Sequence, residues 1–151
     1  MPETMINFNE IPQWWPICPG YECAKREECL RHKAFREAPE NVTRWVCVLP
    51  QAGQEETCRY FQKAEKVKMA RGFDTLFRQL RSRDARHDIR MELTAFFGSN
   101  GAYYRYKNGE MMLTPRQQQK VIDVFRRHGF DGDVVFDQYM EAYDLTSLAS
   151  Y

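Results

Sequence analysis

No cysteine follows residue 58, and no apolar run is longer than the five residues 45–49. An α-helical membrane span needs about 20 apolar residues in a row, so none is expected. Residues 1–11 have neither a basic start nor an apolar stretch. A secretory leader is therefore not expected, and a cytoplasmic location is the default. The chain has no phosphate loop, no dinucleotide fingerprint and no Gly-x-Ser-x-Gly elbow. Asp131, Asp133 and Asp137 do not make a calcium loop, because Phe136 stands where Gly is needed and Ala142 where a Glu closes the site. His87 and His128 have no visible nucleophile or metal partner. Internal repeats, low-complexity tracts and dividing linkers are also missing. With no catalytic set in view, the expectation is a non-enzymatic binding or adaptor protein whose partner, a protein or a nucleic acid, is unidentified. The alternatives are an enzyme whose groups converge only in three dimensions, and a redox sensor using an iron–sulfur cluster or the thiols themselves.

What the chain does have is five cysteines near its start: Cys18, Cys23, Cys29, Cys47 and Cys58. The 151 residues are 43% apolar and 14% aromatic, enough for a real core in one domain. In a reducing compartment, clustered thiols point to metal rather than to disulfides.

Charge is near balance at +1 but unevenly spread. Residues 59–90 carry ten Lys/Arg against four Asp/Glu, and residues 131–151 carry five acids and no Lys or Arg. Pairing of the acidic tail with the basic middle is preferred over an anionic partner.

Residues 1–19 hold four prolines and the pair Trp14-Trp15, which reads as extended chain tucked on the core. Residues 25–35 read as a helix with Leu30, Ala34 and Phe35 inward, residues 44–49 as a short strand, and residues 51–57 as a polar loop. Residues 63–71 read as a helix capped by Gly72, and Asp74 opens another. Ser82 or Asp84 starts a longer helix with Ile89, Leu93, Phe96 and Phe97 apolar, stopped by Gly98.

Residues 102–113 read as a β-hairpin turning on Asn108-Gly109. Alternation places Tyr103, Arg105 and Lys107 on its outer face, with Lys107 opposite Glu110. Thr114, Pro115 and Gln117 form a capping-box helix start, with Val121, Val124 and Phe125 inward and Gly129 at the close. A last helix carries Tyr139, Met140 and Tyr143. The expected class is α+β: a mostly helical single domain over 1–151, with a metal-stapled portion over 1–62 and a helix–hairpin–helix core over 63–151.

A structural zinc takes four thiolate or imidazole ligands. Cys18 and Cys23 are separated by four residues, and Cys29 lies six beyond Cys23. In one continuous helix Cys23 and Cys29 point about 240° apart, so Cys23 must sit in a turn and Cys29 at the start of the helix that follows. The fourth ligand comes from Cys58, His32 or Cys47. Cys58 ranks first for its polar setting, and Cys47, inside an apolar run, ranks last. Zinc is the first expectation, unmetallated thiols the second and an iron–sulfur cluster the third, since the spacing fits neither ferredoxin pattern.

Several short runs carry a resemblance. Cys18-Pro19, Cys23, Glu28-Cys29-Leu30-Arg31, Cys58-Arg59-Tyr60-Phe61 and Met69-Ala70-Arg71-Gly72-Phe73 belong to it. So do Phe97-Gly98, the run from Tyr103 to Gly109, and Phe136-Asp137-Gln138-Tyr139. The chain resembles a family of uncharacterised proteins from Bacteroides and related bacteria, over about residues 18–143. The resemblance implies a cysteine-rich front and a ligand set of Cys18, Cys23, Cys29 and Cys58. Arg59 stands where such proteins carry Pro. It implies no reaction.

A second candidate surface is basic. Arg83, Arg86 and Arg90 form a helical stripe, and Tyr103, Arg105 and Lys107 on the hairpin offer a base-stacking, phosphate-gripping face. A solvated face is the preferred reading, since no nucleic-acid-binding motif is present.

Overall fold

Where a hydroxyl precedes an apolar stripe, a helix begins. Thr114 accepts from Gln117 N at 3.2 Å while the Gln117 side chain accepts from Thr114 N at 2.9 Å, a reciprocal capping box. Helix α5 (Pro115–Arg127) follows, burying Val121, Val124 and Phe125. Each fully buried apolar side chain of that kind is worth about 1.5–3 kcal/mol.

The computed structural model describes residues 5–54 and 58–146. Among these it is α+β, with five α-helices and a three-stranded antiparallel sheet. Two compact units divide the chain: residues 1–66 with 143–151, and residues 67–142. No helix among the described residues is long and apolar enough to cross a membrane.

The second unit is the more regular. Its sheet has the order β2-β1-β3, with strands β1 (Val67–Arg71), β2 (Met112–Leu113) and β3 (Gln138–Ala142). Central β1 pairs Met69 with Met140 and Ala70 with both Tyr139 and Leu113. Helix α2 (Asp74–Arg78) opens at the expected Asp74. Helix α3 (Arg83–Phe97) is capped by Ser82, buries Ile89 and Leu93, and ends at Gly98 with φ +99°. Phe96 is 40% exposed rather than inward.

Three expected elements differ. Residues 63–71 are not a helix: their helix-favouring Lys, Ala and Glu are overridden by pairing with β3, because propensity is a weak prior beside a full ladder. The expected last helix is β3 for the same reason. The hairpin is not formed either. Residues Asn100–Lys107 are helix α4, started by Ser99, whose hydroxyl accepts from Ala102 N at 3.1 Å. Asn108-Gly109 ends that helix, with Gly109 at φ +84° and its N–H donating to Tyr106 O. The left-handed residue that suits a hairpin turn equally suits a helix C-terminus.

The first unit is mostly irregular. Helix α1 (Leu30–Arg36) is shorter than expected, preceded by a 3-10 turn over Arg26–Glu28. The expected strand at 44–49 reduces to an isolated parallel bridge of Cys47 with Ile17. Part of the expected loop forms a 3-10 turn over Pro50–Gln54, and residues 55–57 lie outside the described residues. The core gathers Ile6, Phe8, Trp15, Ile17, Leu30 and Leu145, among others. Trp15 is fully buried and accepts from Trp45 Nε1 through its carbonyl at 3.0 Å, whereas Trp14 is 52% exposed. Phe35 is also exposed. The C-terminal return is tied in by Gln62, whose amide donates to the Asp144 carbonyl.

Candidate functional site: a thiol-lined cavity

Four backbone segments of the first unit meet around one cavity of about 450 Å³. Cys18, Cys23, Cys29 and Cys58 all line it, and so does His32. Cys47 does not; it is exposed, with its thiol 3.8 Å from the Trp45 carbonyl oxygen. All five are free thiols. Among the described residues no group of three or more His, Cys, Asp or Glu is arranged to hold a metal ion.

Each thiol is placed by local backbone chemistry. Cys18 follows the Ile17 bridge, and its N–H donates to Arg31 O at 3.1 Å. The chain then turns sharply through Gly20 (φ +84°) and Tyr21 (φ +31°), and Cys23 N donates to Gly20 O at 2.8 Å. Gly20 is required here: a Cβ would fall 2.6 Å from His32 Cε1 and Nδ1. Its N–H also lies 3.4 Å from Cys18 Sγ, a hydrogen bond that favours thiolate. Cys29 sits at the N-cap of α1 and bridges to Lys63. Cys58 opens a turn in which Phe61 N donates to its carbonyl at 3.1 Å. Cys23 in a turn and Cys29 at a helix start is the arrangement that the spacing requires.

His32 is 7% exposed, and its Nδ1 lies 3.0 Å from the Cys18 carbonyl oxygen. A carbonyl only accepts, so Nδ1 carries a proton. Arg31 is fully buried. Its Nε donates to Tyr60 O at 2.7 Å and its Nη1 to Pro16 O at 2.9 Å, while the guanidinium stacks 4.4 Å over Trp15. Burial pushes the Arg31 pKa down, and the charges of Cys29, Cys58, Cys18 and Tyr60 push it back up. Burial likewise raises the Cys18 pKa; the Gly20 N–H opposes this, and Cys29, Cys58 and Cys23 add to the rise. Arg31 thus shares its electrostatic surroundings with Cys18, Cys29 and Cys58.

Sequence reasoning missed Arg31. Its signal was available: Arg31 lies three residues before Ala34, on the inward face of α1.

The basic candidates lie in the second unit. Arg83, Arg86 and Arg90 are exposed on α3, and Arg86 Nε donates to Leu80 O at 2.7 Å. Arg105 is exposed on α4. Tyr103 is fully buried, so it presents no ring for stacking a base. Lys107 does not face Glu110. It lies 3.5 Å from Asp74 and 4.4 Å over the Phe77 ring. Asp137, in the acidic tail, accepts from Asp74 N and Thr75 N rather than from the arginines of α3.

A family model described as a family of unknown function (DUF6078) matches residues 1–145. The chain belongs to that family. Neither a curated protein nor a solved structure matches it. The DUF6078 match spans both units, so the thiol-lined cavity and the sheet unit fall within one family definition.

Proposed function

We propose that this DUF6078 protein is a cytoplasmic, non-enzymatic binding protein whose first unit is built around a metal centre held by Cys18, Cys23, Cys29 and Cys58. One observation carries the reading: Cys18, Cys23 and Cys29 line the same cavity as Cys58, some 29 residues further on, and Cys47 between them is excluded from it. Both zinc and an iron–sulfur cluster take four thiolates. The buried Arg31 offsets part of the negative charge that four thiolates bring. Metal bound in this way stabilises the fold directly, because the ligands are gathered only in the folded chain. The partner, a protein or a nucleic acid, is met elsewhere on the surface.

The test is elemental analysis of the full chain purified without metal-affinity resin. Stoichiometric metal is expected, lost on replacing Cys18, Cys23, Cys29 or Cys58 singly by Ser and retained in Cys47→Ser. A metal-free chain that takes up neither zinc nor iron with sulfide overturns the proposal.

A further inference from the structure

We infer that His32 is a positioning residue of this centre: its ring holds the loop over residues 18–23 in the shape that brings Cys18 and Cys23 to the cavity, acting as a hydrogen-bond donor and not as a metal ligand. This rests on the four-thiolate reading above. The start of α1 ties the cysteine segments together. Cys29 is its N-cap. The segment after Cys58 is held by Arg31 Nε donating to Tyr60 O at 2.7 Å and by Leu30 N donating to Gln62 O at 2.6 Å. The loop carrying Cys18 and Cys23 is held by Cys18 N donating to Arg31 O at 3.1 Å, and by the His32 ring.

The ring grips that loop at two places. Nδ1 donates to the carbonyl oxygen of Cys18 at 3.0 Å, on the residue that carries the first thiol. Its Nδ1–Cε1 edge also lies against Gly20, so closely that a Cβ there would come 2.6 Å from both atoms. Gly20 in turn serves both thiol residues. Its N–H reaches Cys18 Sγ at 3.4 Å, and its carbonyl accepts from Cys23 N at 2.8 Å. A shift of the ring therefore shifts the seats of Cys18 and Cys23 together. Loss of a group that orients a metal's ligands costs about 10–100-fold in metal affinity. What the loop takes from His32 is one N–H at the Nδ1 position, because a carbonyl only accepts. Asparagine offers an N–H from nearly the same place, since its Nδ2 is bonded to Cγ as Nδ1 is. Phenylalanine fills the volume of the ring and offers none.

The experiment measures zinc affinity of the metal-free full chain by chelator competition, for the wild type, His32→Asn and His32→Phe, with cobalt(II) absorption recorded for each. His32→Asn should bind zinc within about threefold of the wild type, and His32→Phe about 10–100-fold more weakly. The cobalt spectrum should keep its shape, because the ligands are the same four thiolates. His32→Phe binding like the wild type would mean that the ring only fills space, and overturns the inference. His32→Asn binding as weakly as His32→Phe overturns it as well. Both of those results leave the four-thiolate centre standing. Nitrogen NMR of the zinc-loaded wild type needs no variant to fold. It should show His32 Nδ1 protonated and neither ring nitrogen on the metal, and a metal-bound nitrogen overturns the positioning role. A wild-type chain that binds neither zinc nor cobalt overturns the four-thiolate reading, and this inference with it.

Discussion

Replacing Gly20 by Ala tests how the cavity's first loop is built. Two costs add. At φ +84° an L-residue pays about 1–2 kcal/mol for the left-handed backbone. The new methyl would also sit 2.6 Å from two atoms of the His32 ring. That ring is 7% exposed and tied to the Cys18 carbonyl, so it has nowhere cheap to go. Overpacking together with a lost hydrogen bond costs about 2 kcal/mol more. The expected total is about 3.5 kcal/mol. His32→Ala alone should cost about 2 kcal/mol. In the double variant the methyl meets no ring, so Gly20→Ala should cost only the backbone part, about 1.5 kcal/mol, leaving a coupling of about 2 kcal/mol. Urea denaturation followed by tryptophan fluorescence is the assay, because Trp14, Trp15 and Trp45 all lie in the first unit. If the two costs add to within about 0.5 kcal/mol, the steric reasoning is refuted.

Three further expectations concern the second unit. Asp137→Ala should destabilise it by about 1–2 kcal/mol, because its carboxylate caps α2 through Asp74 N at 3.1 Å and Thr75 N at 3.3 Å; Asp137→Asn, which keeps an acceptor, should lose less in thermal denaturation. Tyr103→Phe should be neutral or raise stability by about 1 kcal/mol in chemical denaturation, since the buried hydroxyl has no hydrogen-bond partner among the described residues; a clear loss would show that it has one. Glu92 has a pKa lowered chiefly by its hydrogen bond with His128 (2.7 Å), opposed by burial and aided by Arg127. A lowered folded pKa gives stability that is present above the ordinary value of 4.5 and lost as pH falls through the folded value. Glu92→Gln should therefore flatten the acid side of the stability curve, and an unchanged curve would exclude the pairing.

The parts of the fold legible in the sequence are those whose signals are local. Thr114 with Gln117, Ser82 and Gly98 name helix ends through hydrogen bonds only three or four residues long, whereas α2, which opens at Asp74, is capped from 63 residues away by Asp137. Strands β1 and β3 were misread as helices because their stabilisation comes from partners about 70 residues away, which no window along the chain contains. Residues 102–113 failed for another reason. The expected hairpin turn at Asn108-Gly109 is instead the end of α4, where only Gly109 is left-handed, and a left-handed glycine does not say what it ends. Ser99, the N-cap that made the preceding segment a helix, carried the missing information. Once Tyr103 lies on a helix its ring turns into the core, and the outer basic-aromatic face drawn for a hairpin disappears with it.

Of the cysteines, the structure brings Cys18, Cys23, Cys29 and Cys58 to one cavity and leaves Cys47 exposed, even though the fold around them is irregular. The first unit has little regular structure to hold it. Its buried apolar cluster is small, its regular structure is one seven-residue helix with 3-10 turns and bridges, and it spends a central buried position on Arg31. The metal centre we propose would act as a staple for a small unit with so modest a core. A buried guanidinium stacked on Trp15 and bonded to two carbonyls is costly in an apolar core. Under the proposed metal centre that cost is offset: the cation would lower the cost of gathering thiolates at Cys18, Cys29 and Cys58, and the thiolates would give the cation a reason to be inside.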